Sequence, residues 1–171
     1  MKITEEKFAS LIQTLENAPG VLERSIAASE LGDCEDSRAI EPLKKCLDES
    51  HPEILCSAIK ALGKLKDEGS IPRFLSFLDE SYDKWIRVYA IGALCNLHYL
   101  PARTPVRQML KDQDHLVRYE AMQGLVKLSH RKGREIKSDL VMFLEDSHET
   151  NRHLAQQWLE FIEQEERKAN S

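Results

Sequence analysis

The chain has 171 residues, of which 42% are apolar, 31% charged and only 6% aromatic, enough hydrophobe for one core-bearing domain and too much charge for a membrane bundle. Seven Gly and six Pro are few for this length, which disfavours a turn-rich β-sandwich and favours helices with short connections. The formal charge of −5 gives no global attraction for phosphate backbones or anionic lipid, although a local basic patch remains compatible with it.

From the N-terminus, Met1-Lys-Ile-Thr-Glu-Glu-Lys-Phe8 is charged and has no apolar core of a signal peptide. No later stretch approaches the roughly 18 uninterrupted apolar residues of a membrane span, so a cytoplasmic location is expected. Leu11 and Leu15 place a first helix over 3–16. The next segment, Ser25-Ile-Ala-Ala-Ser-Glu-Leu31-Gly32, then recurs down the chain. Its copies are Cys56-Ser-Ala-Ile-Lys-Ala-Leu62-Gly63, Val88-Tyr-Ala-Ile-Gly-Ala-Leu94, Tyr119-Glu-Ala-Met-Gln-Gly-Leu125 and His153-Leu-Ala-Gln-Gln-Trp-Leu159. The alanines at 27, 58, 90, 121 and 155 are spaced by 31, 32, 31 and 34 residues. Four residues after each comes Leu31, Leu62, Leu94, Leu125 or Leu159, and three further on Cys34, Leu65, Leu97, Leu128 or Ile162. An i, i+4, i+7 stripe is one face of an α-helix.

A second apolar pair follows each of the first four copies: Leu43/Leu47, Phe74/Leu78, Val106/Leu110 and Leu140/Leu144. Each unit therefore reads as a helical hairpin, and Leu11/Leu15 as the second half of an incomplete opening unit. The fold class that follows is all-α: an α-solenoid, a right-handed superhelix of about ten helices stacked in hairpins. It forms one domain over 1–171, with a partial opening repeat at 3–16, repeats at about 20–48, 52–79, 83–111 and 114–145, and a terminal helix at 148–166. Turn chemistry separates the helices at Ala18-Pro-Gly20, Gly32-Asp-Cys-Glu-Asp-Ser37, Ser50-His-Pro52, Asp67-Glu-Gly-Ser70 and Ser129-His-Arg-Lys-Gly133. Leu100-Pro-Ala-Arg-Thr-Pro105 reads as an inter-helix stretch whose prolines mark a helix start. Cys34, Cys46, Cys56 and Cys95 contain no Cys-x-x-Cys pair and alternate with aliphatic residues, which fits buried reduced thiols.

Asp83-Lys-Trp-Ile-Arg87 and Asp114-His-Leu-Val-Arg118 share an Asp-x-x-hydrophobic-Arg pattern three residues before Ala90 and Ala121. With the period, this pattern resembles the short HEAT repeat of about 31 residues, similar to that of the phycobilisome lyases, over about residues 3–164. The resemblance implies a structural ladder of Asp and Arg tying successive hairpins together. The matching positions are Arg24, Asp83, Arg87, Asp114, Arg118 and Arg152, with Leu55 breaking the column in the second repeat. That gap implies a junction that relies on apolar packing. The resemblance also implies, as an alternative function, a subunit that handles an open-chain bilin chromophore.

No catalytic constellation stands beside the repeat. The histidines 51, 98, 115, 130, 148 and 153 fall mostly in loops. His148-Glu149 is the single His-Glu dipeptide where the di-iron deoxyhypusine hydroxylases, also helical-repeat proteins, need several in register. His148 and His153 are five apart rather than the four that stack ligands on one helical face. No Gly-x-Ser-x-Gly or phosphate loop occurs. No enzyme, metal or cofactor is therefore expected. The second helices should line a concave face, where the solvent-facing columns read Lys44, Leu75, Arg107, Val141 and Lys45, Ser76, Gln108, Met142. That is no continuous basic stripe of the kind found in DNA glycosylases of HEAT-like fold, so nucleic acid binding through the cluster Arg103, Arg107, Lys111, Arg131, Lys132, Arg134 and Lys137 stands only as an alternative.

The expected function is a non-enzymatic scaffold or adaptor for a protein or peptide, gripped in the groove by Lys44, Arg103, Arg107 and Lys111. At the C-terminal edge, Trp158 and Phe161 occupy columns that are small or polar in the earlier repeats. They read either as a cap over the exposed core or as a sticky edge for a partner or a second copy of the chain. Tyr82, Trp85 and Tyr89 form a smaller aromatic group that reads as packing.

Overall fold

The structure is a computed structural model that describes residues 3–129 and 131–169, and only the backbone of 131–133. Its α-helices are α1 (Glu5–Asn17), α2 (Val21–Asp33), α3 (Ile40–Lys45), α4 (Pro52–Lys64), α5 (Ile71–Ser76), α6 (Lys84–Asn96), α7 (Arg103–Gln108), α8 (His115–Leu128), α9 (Lys137–Phe143) and α10 (Glu149–Ala169). Among the described residues there are ten α-helices and no strand, the solenoid-type all-α architecture expected from the repeat. The helices fall into two compact units, the first ending at Leu97 and the second beginning at His98.

In the first unit the long helices α2, α4 and α6 stack side by side, and α1, α3 and α5 each pack on the long helix that follows them. Local chemistry sets the helix starts. Thr4 accepts a hydrogen bond from the Lys7 N–H at 3.2 Å to cap α1, Pro52 opens α4, and Asp83 accepts from the Trp85 N–H at 2.8 Å to cap α6. The alanine column Ala27, Ala58 and Ala90 is buried, as are Leu31, Leu62 and Leu94. Leu15, Leu43 and Phe74 of the short helices close the same core.

The seam between long helices is built from residues smaller still. A Cβ added at Gly32 would lie 2.6 Å from the Ala61 Cα, and one added at Gly63 would lie 2.8 Å from the Ala93 Cα. Gly32, which in sequence reads as the first residue of a turn, is therefore inside α2 and serves the helix contact instead. The chain reverses two and three residues later: Cys34 closes the helix, and Glu35 takes the left-handed conformation at φ 54°. Lys66 and His98 do the same at φ 56° and 51°, each at the equivalent position of its repeat. A left-handed turn without glycine carries no signature in the sequence.

The second helix of each hairpin is shorter than the apolar pairs suggest. Helices α3, α5 and α7 have six residues each, and a 3₁₀ turn leads into every one of them. Leu100–Ala102 is such a turn and Thr104 and Pro105 already belong to α7, so the stretch 100–105 is helical rather than a connection. Pro42, Pro72 and Pro105 sit in the first turn of these helices, where a missing N–H costs no intrahelical hydrogen bond. Helix α1 runs Glu5–Asn17 rather than 3–16, and α10 continues beyond 166 to Ala169.

In the second unit α8 packs on α7, and α10 packs on both α8 and α9. Asp114 caps α8 by accepting from the Leu116 N–H at 2.8 Å. Val106, Val117, Ala121, Leu125, Leu140, Ala155 and Ile162 form its core. His130 and the side chains of Arg131 and Lys132 lie outside the described residues.

The glycine seam has a direct consequence. Gly32→Ala should lower the urea midpoint, with an overpacking cost of about 1–3 kcal/mol outweighing the better helix propensity of alanine. Ala61→Gly should not rescue it, because the Ala61 Cα itself lies in the path of the new methyl group. Chemical denaturation of the two variants checks both statements.

Candidate functional site

The arginine column sits at the loops between repeats. In the first unit Arg24 donates from Nε to the Leu15 carbonyl at 2.8 Å and pairs through Nη2 with Glu49. Arg87 donates to the Tyr82 carbonyl. In the second unit Arg118 is 9% exposed and makes the fullest set of bonds. Its Nη1 reaches the Asp112 and Gln113 carbonyls at 2.9 and 3.0 Å, while Nε and Nη2 grip the Asp146 carboxylate at 2.7 and 2.9 Å. Arg152 donates to the Asp146 carbonyl at 2.7 Å. Asp83 and Asp114 act as the helix caps of α6 and α8, and the carboxylate in Arg118's fork is Asp146, from the loop before α10.

At the Leu55 gap the structure uses a residue outside the column. Arg73 of α5 donates to the Leu47 carbonyl at 3.2 Å and to Asp48 at 3.0 Å, and its guanidinium lies over the Phe77 ring. Leu55 is itself buried, so this junction has apolar packing and a guanidinium brought from the neighbouring helix. No periodicity marks Arg73, because it falls on the other helix of the hairpin.

The expected groove residues occupy different places. Lys44, in the first unit, pairs with Glu41 of its own helix at 3.0 Å. In the second unit Arg107 and Lys111 line a hollow of about 440 Å³ between α7 and α9, with Leu110, Met142, Phe143 and Asp139. Arg103, one turn before Arg107, is half-buried and outside that lining. Arg107 Nε donates to Asp139 at 3.0 Å, and Lys137 and Arg134 share Glu166 at 3.1 and 3.8 Å. The local basic cluster is thus interleaved with carboxylates. Met142 is 71% exposed and Val141 51%, an apolar strip beside the cations that the sequence columns contained but did not rank.

At the last helix Trp158 and Phe161 meet edge to face, ring centroids 5.6 Å apart, with Phe161 40% exposed. His115 and His148 stack at 3.6 Å, and His148 Nδ1 accepts from the Thr150 N–H at 3.3 Å as a cap on α10. Among the described residues no group of three or more His, Cys, Asp or Glu side chains is placed to hold a metal ion, and no helix is long and apolar enough to cross a membrane. All four cysteines are buried and unbridged. Burial pushes the Cys46 thiol up to about 11 and the Cys56 thiol up to about 12, so neither is a thiolate near neutral pH.

The family signature for HEAT repeats matches residues 8–87 and 71–160. The chain belongs to the HEAT-repeat family. This HEAT-repeat protein is similar in structure to a chain of the complex of CpcE and CpcF of phycocyanin lyase from Nostoc sp. PCC7120. The TM-score is 0.68 at 20% identity, over 89% of this chain and 63% of that one. It therefore spans less than two thirds of the lyase chain's length. A computationally designed armadillo repeat protein for modular peptide recognition matches at TM-score 0.60 and 20% identity, over 86% of this chain and 79% of that one. An engineered protein matches at TM-score 0.57 and 15% identity, over 93% and 97%. No curated protein matches the HEAT-repeat chain.

The Arg118 and Asp146 pair carries a pH dependence. Burial pushes the Asp146 carboxyl up, but bonds from Arg118, the His148 N–H and Asn151 outweigh it and hold the carboxyl below the usual carboxylate range. A carboxyl lowered by folding stabilises the protein above its unfolded pKa, and that contribution is lost as the pH falls through the folded value. Arg118→Met should cost about 3–5 kcal/mol at neutral pH, since it leaves a buried carboxylate unpaired. Asp146→Asn should flatten the acid limb of stability. Urea unfolding followed by circular dichroism across the acid range measures both.

Proposed function

We propose that the protein is a cytoplasmic, non-enzymatic scaffold that holds an extended segment of a protein partner against the short-helix face of its repeats. The observation that carries this reading is the hollow between α7 and α9, where Arg107 and Lys111 stand beside the exposed Met142 and the Phe143 edge. Cations next to an apolar strip suit a peptide with both acidic and apolar side chains. Arg107, Arg134 and Lys137 already hold carboxylates, which favours a protein partner over nucleic acid. Repeats of this fold have been designed for modular peptide recognition, which supports the same use. Arg103 extends the second-unit surface along α7, and Lys44 offers a separate contact in the first unit. Trp158 and Phe161 provide a further edge for the partner or for a second copy of the chain, because tryptophan and other rigid aromatics dominate interface energetics.

A second reading, handling of an open-chain tetrapyrrole, draws on the likeness to the phycocyanin lyase complex. Visible absorbance distinguishes it: a bilin bound by the purified protein shifts its spectrum, and an unchanged spectrum sets this reading aside.

For the scaffold reading, a fluorescent peptide alternating glutamate and leucine should bind the protein with measurable anisotropy. Lys111→Glu should weaken it about tenfold, which is about 1.4 kcal/mol, and Met142→Ala should weaken it by a smaller factor. Binding that neither substitution changes would remove the hollow from the recognition surface.

A further inference from the structure

The long helices of the first unit carry a second hollow, and the repeat register explains it. Stepping by one period, Leu22 and Ile26 of α2 correspond to Glu53 and Ser57 of α4 and to Trp85 and Tyr89 of α6. The outer helices thus present large apolar side chains where the middle helix presents a serine and a carboxylate. Over α4 lies a hollow of about 370 Å³, floored by Cys56 and Ser57, walled by Trp85 and Tyr89 of α6 and met from α2 by the small Ser29. Trp85 is 46% exposed, whereas Tyr82 is taken up in an edge contact with Phe77 at 5.1 Å. The aromatic group that reads as packing in the sequence therefore divides: Tyr82 packs inward, and Trp85 and Tyr89 face the hollow.

The charge of this hollow is opposite to that of the groove between α7 and α9. Glu53 and Asp83 stand at its rim, with Lys60 as the cation among the lining residues. After burial, the main influences on the Cys56 thiol are these two carboxylates, which places their field at the floor. The indole already serves as a seat for a cation, because the Lys84 ammonium lies 5.7 Å from its ring centroid. Lys84 is not part of the hollow's lining.

We propose that this hollow docks an arginine side chain presented by a protein partner. A guanidinium can stack flat on the Trp85 face and turn its N–H fork to the Glu53 and Asp83 carboxylates. A compact, strongly hydrated ammonium gains less from a flat ring and a fork of acceptors. The volume exceeds one side chain, so residues flanking the arginine are seated on Tyr89 and Pro52 as well. The site lies within the first unit and does not depend on the hollow between α7 and α9.

The probe is a blocked Gly-Arg-Gly peptide, compared with its citrulline twin, which has the same shape without the charge. Trp158→Phe leaves Trp85 as the one tryptophan of the chain, and its indole N–H resonance reports occupancy. The arginine peptide should shift that resonance saturably, and the citrulline peptide about tenfold more weakly. Glu53→Gln with Asp83→Asn, which keeps a capping side chain on α6, should weaken the arginine peptide about tenfold. Lys60→Gln should tighten it several-fold. Glu160→Gln with Glu163→Gln makes the same change of net charge on α10 and should alter nothing. Equal shifts with citrulline, an equal loss in the α10 control, or no shift at millimolar peptide would each overturn the assignment.

Discussion

The approach of backbone to backbone between the long helices is the contact on which the repeats depend. At Gly32 against Ala61, and again at Gly63 against Ala93, no room exists for one more methyl group. Close-packed interiors tolerate added volume poorly, so these seams set the spacing of α2, α4 and α6. The short helices then fill what lies beside them, with Leu15, Leu43 and Phe74 closing the core. The cost of backbone freedom at two glycines is accepted for a tight stack, and everything presented on either face inherits that spacing.

Loops between repeats are held by charge rather than by volume. A guanidinium suits this place because one planar group can take carbonyls of its own loop and a carboxylate of the next. Arg118 does this most completely, and its partner Asp146 also accepts from the His148 N–H, so one carboxylate closes a turn and anchors a neighbouring helix. The loop before α4 reaches the same end from a different helix, through Arg73. The chemistry that the loop needs is a donor fork near its carbonyls, and the fold accepts it from either side.

A repeat array also creates surfaces by breaking its own pattern. Where α4 carries Glu53 and Ser57 beside Trp85 and Tyr89, a hollow opens with acidic rims. Between α7 and α9 another opens with basic ones. The charge of each hollow is set by its own lining, Glu53 and Asp83 in the first unit and Arg107 and Lys111 in the second.

The amino-acid sequence alone determined the all-α class, the period near 31 residues and the alanine and leucine columns of the core. These features are visible because helical periodicity is local and because a repeat translates the same local pattern along the chain. Tertiary structure alone decided that Gly32 belongs to a helix seam rather than a turn, and that Asp146 takes Arg118 while Asp83 and Asp114 cap helices. It also decided that Arg73 covers the gap at Leu55 and that Trp85 and Tyr82 part company. The helix seam, the Arg118 fork and the cover by Arg73 depend on groups from different elements meeting in space, 25 or more positions apart in sequence. Contacts of that kind are set by how closely two helices approach, a distance that no local pattern encodes.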